Sequence, residues 1–198
     1  MDKKLILVAA PPACGKNYVS ELICRSLNNV AYFDKDDLSP LIRRSFELCR
    51  ERVDMDGEFY LNNLRDAEYA ALINLAFSSL RFSSCVIVNA PFLKEVYDLE
   101  YMRGLKQKAN RLDAELVLVW VSASDNTRFL RMKSRSSDRD VYKLANWDEY
   151  VKKSNYGIPT DLTSHMSIDK LYVFDNDNEN VAEGSLNNLL SLLGDKNA

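Results

Sequence analysis

The stretch Ile6–Ile23, ILVAAPPACGKNYVSELI, decides how the chain is read. Residues 4–10, KLILVAA, form a short and nearly continuous apolar run, the pattern of a parallel strand buried on both faces. After the run come Pro11-Pro12, the pair Gly15-Lys16, and a helical pattern with Val19, Leu22, Ile23 and Leu27 at three-to-four spacing. Strand, loop and helix in this order are the setting of the phosphate-binding template G-x-x-x-x-G-K-[ST]. Its backbone N–H groups turn inward onto phosphate oxygens at a helix N-terminus, its lysine reaches the outer phosphates, and its hydroxyl binds Mg²⁺. Here Ala10 stands for the first glycine and Asn17 for the hydroxyl residue. The expected cradle is Pro12, Ala13, Cys14, Gly15, Lys16, Asn17 and Tyr18, with Asn17 the candidate Mg²⁺ ligand. The prolines fix φ without needing N–H groups of their own. Cys14 would have a lowered thiol pKa if exposed at the helix start; the plainer reading is a small residue where serine often sits.

A chain of 198 residues fits one domain with a substantial core. No internal repeat or low-complexity tract is present. A net charge of -3 argues against broad electrostatic binding to nucleic acid or to anionic membrane. Four cysteines without a C-x-x-C pair and a lone His165 point to a reducing cytosol and speak against a structural zinc site. Lys3 and Lys4 followed by apolar residues imitate an export signal. The run Leu5–Ala10 is shorter than the roughly 7–15 residues of a signal core, and Pro11-Pro12 breaks it. No apolar run approaches the ~20 residues of a membrane span. The expectation is a cytoplasmic chain with no membrane partner; nothing in the residues sets an oligomeric state.

Further buried strands are expected at 30–33 (VAYF), 85–90 (CVIVNA), 114–121 (AELVLVWV) and 170–174 (KLYVF). Helices are expected at 38–52, with Ser39 as cap and Pro40 at the first position, and at 60–82, 94–110, from 125, 146–154 and 181–194. Strands alternating with helices imply an α/β chain with a five-stranded parallel sheet and helices on both faces. Ligands in such sheets bind beyond the carboxyl ends of the strands, so the residues after Ala10, Phe33, Ala90, Val121 and Phe174 come into focus. YFDKDDLSP places Asp34, Asp36 and Asp37 at such an end. A carboxylate there either takes the proton of a hydroxyl attacking a phosphate or caps the next helix. Capping needs one acid, and three leave a surplus.

APPACGKN, FDKDDL, VIVNAPF and RFLRMKSRSSDRD together resemble the P-loop kinases of the polynucleotide kinase, zeta-toxin and gluconate kinase kind. The resemblance implies a three-layer P-loop NTPase fold over 1–198, an acceptor-binding insertion at about 38–82, and a helical lid at about 125–154. It implies ATP and Mg²⁺ as cofactors and a strand-end general base, placed at Asp36 with Asp37 second, on the substrate side. Arg128, Arg131, Arg135 and Arg139 are spaced three, four and four and share one face while the segment stays helical, whereas Lys133 lies off it. The stripe is either a solvated face or, as the resemblance implies, the lid arginines that neutralise the transferring phosphoryl group. On that reading Arg131 and Arg135 join Lys16 and Asp36 as catalytic residues, Arg128 meets nucleotide phosphates, and Arg139 meets substrate. Asn89 stands where such kinases often carry a Mg²⁺-associated carboxylate, and an amide oxygen supplies less charge there.

In the insertion, Arg43, Arg44 and Arg65 either hold an anionic substrate or pair with Glu47, Glu51 and Glu68. Tyr69, Trp147 and Tyr150 read as packing or as stacking groups, and His165 as a surface residue. The functional expectation is transfer of the γ-phosphate of ATP to a hydroxyl of a small-molecule or nucleoside-type acceptor. The alternatives are a non-catalytic or weakly hydrolytic nucleotide-binding regulator with a degenerate loop, and a polynucleotide 5′-hydroxyl or zeta-toxin-like kinase.

Overall fold

Alternation along the central strand sets the architecture. In β1 (Lys3–Ala9), Leu5 and Leu7 face one side and Ile6 and Val8 the other, and all four are fully buried. The structure, a computed structural model, describes residues 3–154 and 156–194, with the side chains of 138 and 139 excepted. Five parallel strands, β1, β2 (Val30–Asp34), β3 (Cys85–Asn89), β4 (Ala114–Ser122) and β5 (Lys170–Asp175), lie in the order β2-β3-β1-β4-β5. Register pairs Val8 with Asn89 and Asp34 with Asn89, so the carboxyl ends of β2, β3 and β1 finish level with one another.

The intervening helices are α1 (Lys16–Ser26), α2 (Ser39–Cys49), α3 (Glu58–Asn63), α4 (Arg65–Ser79) and α5 (Leu99–Asn110). They continue with α6 (Asp125–Arg135), α7 (Asp138–Ala145), α8 (Trp147–Lys153), α9 (Asp161–Ser164) and α10 (Glu179–Leu193). Leu5, Leu7, Val88, Leu118 and Trp120 form one core with Leu72 and Ala76 of α4 and Met102 and Leu105 of α5. Ile6, Val8, Ile87, Val119 and Val121 form the second with Val19 and Ile23 of α1 and Leu189 and Leu193 of α10. Each such side chain contributes about 1.5–3 kcal/mol on burial, so two filled faces hold the sheet between its helical layers.

The insertion after β2 has a small core of its own, Ile42, Phe46 and Tyr60. It also departs from expectation. Asp34 accepts the Asp36 N–H at 2.9 Å and starts a 3-10 turn, Lys35–Leu38, so Ser39 is the first residue of α2 and not its cap. Arg50, in the left-handed region at φ 59°, closes α2 at Cys49. The helix expected over 60–82 is broken at Leu64 into α3 and α4. Similarly, α5 starts late: Asp98 caps it by accepting the Glu100 and Tyr101 N–H groups at 3.0 and 2.9 Å. Among the described residues no helix is long and apolar enough to cross a membrane.

Candidate active site

The chain leaves β1 and turns back into α1 through Ala13 at φ 66° and Gly15 at φ 84°, both left-handed. At Gly15 a side chain is excluded twice. The backbone conformation strains any L-residue, and a Cβ would sit 2.3 Å from Asn176 Nδ2. The loop carbonyls are drawn outward. Cys14 O accepts Asn176 Nδ2 at 2.8 Å and Arg131 Nη1 at 3.1 Å, and Pro12 O accepts Arg128 Nε at 3.1 Å. Arg131 Nη2 continues to Asn176 O at 2.7 Å. The first turn of α1 has neither a side-chain cap nor an acidic residue, which leaves its N–H groups and the positive end of the helix dipole to an anion. Cys14 packs inward at 1% exposure, and burial pushes its thiol up to about 11. The exposed, acidified thiol that a helix start would produce is therefore not formed.

Asn89, fully buried at the end of β3, organises the other side of the loop. Its Oδ1 accepts Lys16 Nζ at 2.6 Å and the Ser20 hydroxyl at 3.1 Å. Its Nδ2 donates toward Asp34 Oδ2 at 2.5 Å, Asn17 Oδ1 at 3.0 Å and the Tyr32 hydroxyl at 3.0 Å. Tyr32 in turn donates to Asp34 Oδ2 at 2.9 Å, and Lys16 also reaches Asn17 Oδ1 at 3.1 Å. Burial lowers the Lys16 ammonium to about 8, with the carboxylates of Asp34 and then Asp36 opposing the shift. Burial, reinforced by Asp34, raises the Tyr32 hydroxyl above its ordinary range.

The structure thus joins Lys16, Asn17 and Asn89 in one network and adds Asp34, Ser20 and Tyr32. Ser20 follows Lys16 by four residues, which puts both on one helix face, and Tyr32 precedes Asp34 by two, which puts both on one strand face. Asp36 and Asp37 lie exposed on the 3-10 turn beside this network. Two hard oxygen donors, Asn17 Oδ1 and Asp34 Oδ2, converge on the same amide group. Mg²⁺ is held by one or two carboxylates together with substrate phosphates, and this donor set fits it. Among the described residues no group of three or more His, Cys, Asp or Glu side chains could hold a metal by itself.

The arginine stripe divides. Arg128 and Arg131 hold the loop by its carbonyls, as above. Arg135 is bound by both oxygens of the buried Asp140 on α7, Nη2 to Oδ1 at 2.7 Å and Nε to Oδ2. Arg139, expected to meet substrate, lies outside the described side chains. Arg65 is also committed. Glu95 takes it in a two-pronged pair at 2.7 and 3.1 Å, and its guanidinium sits 4.3 Å from the Tyr69 ring centroid. Its partners are this long-range glutamate and, at 3.3 Å, the adjacent Asp66, and not Glu68, which binds Tyr60 and Lys35 instead. Arg44 forms the expected helical pair with Glu47 at 2.7 Å, and Arg43 is exposed on α2.

Comparison with protein-family models and with curated proteins finds no match. Solved structures do resemble the chain. The PezAT toxin–antitoxin system of Streptococcus pneumoniae gives a TM-score of 0.63 at 12% identity, covering 96% of this chain and 87% of that one. Kti12 of Chaetomium thermophilum in complex with ADP-AlF3 gives 0.59 at 20% identity, covering 94% and 97%. Shikimate kinase from Bacteroides thetaiotaomicron gives 0.52 at 15% identity, covering 96% and 98%. With its strand order, its loop between β1 and α1 and these structural relatives, the chain has the three-layer α/β fold of the P-loop kinases.

Proposed function

We propose that this chain transfers the γ-phosphate of ATP to a hydroxyl group of a small-molecule or nucleoside-type acceptor. The observation that carries the reading is the juxtaposition of an uncapped α1 N-terminus with the buried Lys16–Asn89–Asp34 network at the carboxyl ends of β1, β3 and β2. ATP phosphates lie on the loop and first-turn N–H groups, and Lys16 exchanges Asn89 for the β- and γ-phosphates. Asn17 Oδ1 and the Asp34 carboxylate hold Mg²⁺, which, when bound, neutralises charge on the phosphates.

Asp34 already accepts hydrogen bonds from Tyr32, Asn89 and the Asp36 N–H, whereas the exposed Asp36 carboxylate is the nearer candidate for a proton. Asp36 takes the acceptor's hydroxyl proton as that oxygen bonds to the γ-phosphorus, and the bond from the phosphorus to the ADP oxygen breaks. Arg131 holds the loop in shape, and Arg135 exchanges Asp140 for the transferring group as α6–α8 close as a lid. The acceptor approaches over the 38–82 insertion, which stands on the Asp36 side. A polynucleotide acceptor wants a continuous basic groove. Here Arg65 is spent on Glu95, and Arg131 on the carbonyls of Cys14 and Asn176.

Screening hydroxyl-bearing metabolites for ATP-dependent phosphorylation, beside Lys16→Ala, tests the assignment. Transfer to an acceptor that disappears in the variant supports it, and transfer that persists in the variant contradicts it. The neutral Asn17 and Asn89 favour one second reading, a nucleotide-binding regulator, which predicts ATP binding with weak Mg²⁺ dependence and transfer to none of the acceptors.

A further inference from the structure

A cavity of about 340 Å³ lies on the other side of the phosphate loop. Lys16 and its network occupy the β3 side of β1; this cavity stands over β4, on the far flank of β1, with Pro11 and Cys14 as its loop wall. Trp120 and Ser122 form its floor, α6 supplies Asp125 and Arg128, and α8 with the following segment supplies Val151, Lys152, Ser154, Tyr156 and Ile158. Its volume is at the lower end of the roughly 300–1,000 Å³ of small-molecule sites.

Arg128 is the residue that makes it more than a packing void. The residue is 6% exposed, its Nε is used by Pro12 O and its Nη1 by Asp125 at 2.8 Å. Its Nη2 is buried beside the Tyr150 hydroxyl, and neither atom meets a partner in good hydrogen-bond geometry among the described residues. A buried guanidinium nitrogen without a well-aligned acceptor is a place where an anion oxygen in the cavity forms a charge-assisted hydrogen bond. Arg128 and Lys152 against Asp125 leave the lining one positive charge in excess, matched to a monoanion. One anion oxygen meets the Arg128 Nη2 and a second is left for Lys152, since the Ser154 hydroxyl already donates to Tyr150 O at 2.7 Å. The walls beyond, Trp120, Val151 and Ile158, are apolar.

We propose that this cavity is a second ligand site, which binds a small organic carboxylate with an apolar body between the phosphate loop and α8. The site is separate from the nucleotide network, and its existence does not depend on phosphoryl transfer. Bound there, the carboxylate ties α8 to α6 and through Arg128 to the loop carbonyl of Pro12.

Both tryptophans of the chain report on it. Trp120 lines the cavity, and the Trp147 ring centroid is 6.0 Å from the Arg128 guanidinium carbon. Titration of the full chain with benzoate is expected to give a saturable change in tryptophan emission that the neutral isostere benzamide does not produce. Lys152→Glu, at an exposed position, is expected to weaken benzoate at least about tenfold, and Arg128→Met to remove the response while circular dichroism shows a folded chain. Should Arg128→Met fail to fold, Lys152→Glu carries the test by itself. Equal responses to benzoate and benzamide, no saturable response, or unchanged affinity in Lys152→Glu would overturn the proposal.

Discussion

The two flanks of the phosphate loop use polar side chains in opposite ways. On the β3 flank, Lys16, Asn17, Ser20, Tyr32, Asp34 and Asn89 satisfy one another, side chain to side chain. On the β4 flank, Arg131 spends its donors on the backbone carbonyls of Cys14 and Asn176, and Arg128 gives its Nε to that of Pro12. A side chain held by another side chain can exchange its partner for a ligand at small cost, because both groups retain alternatives. An arginine on a carbonyl shapes the backbone, and withdrawing it leaves an acceptor unpaired. The first flank is built to react and the second to hold.

The sharpest way to break this contrast is at the exposed carboxylate of the reactive flank. Asp36→Asn should lower phosphoryl transfer by about 10²–10⁴-fold, the usual worth of a general base, and leave ATP affinity unchanged. Asp34→Asn should lower both, since Asp34 belongs to the network. Steady-state transfer assays beside calorimetric ATP titration separate the two outcomes. If Asp36→Asn transfers at the wild-type rate, the base lies elsewhere.

The holding flank is tested by Arg131→Met. Two carbonyls lose charged donors worth about 1.5–3 kcal/mol each, so urea unfolding should show a loss of that order even without nucleotide. Unchanged stability would mean that Arg131 does not shape the loop.

Asn89→Asp sharpens the comparison from within the reactive flank. It replaces an amide that donates to Asp34 at 2.5 Å with a second carboxylate, placing like charges in contact. The variant should be less stable by about 1–3 kcal/mol without metal, and Mg²⁺ should recover the loss, whereas the wild type responds weakly. Thermal melting with and without Mg²⁺ reads both.

The smallest effect concerns pH. Burial holds Lys16 near 8, below an ordinary lysine, so the ammonium is charged below that pH and neutral above it. ATP stays anionic throughout. Affinity should be level from pH 6 to 7 and decline above about 8, the decline moving upward as bound phosphate restabilises the charge. Lys16→Arg should flatten the profile.

Much of this arrangement was legible in the residues. The strands show as short apolar runs bounded by turn residues, and their order points to the carboxyl ends where Lys16, Asp34 and Asn89 meet. The same rule points to the segment after Phe174 but not to Asn176 within it, because a buried asparagine bonding a loop carbonyl has no periodic signature. The break at Leu64 is hidden because the apolar spacing runs through it, and one residue at φ -117° interrupts the helix without altering the pattern. Arginine spacing shows which residues share a face; it does not show what faces them. The partners of Arg128 and Arg131 are backbone carbonyls, which any residue carries, and Arg65 meets Glu95 across thirty residues. The Asn89 network joins residues 55 to 73 positions apart, beyond the reach of local pattern.

Calorimetric titration of the full chain with ATP and Mg²⁺, beside Lys16→Ala, tests the central claim most directly. The account predicts saturable binding by the wild type and an affinity about 10–100-fold lower in the variant, the loss of one charge-assisted contact. Equal binding by the two proteins, or no binding by either, would contradict it.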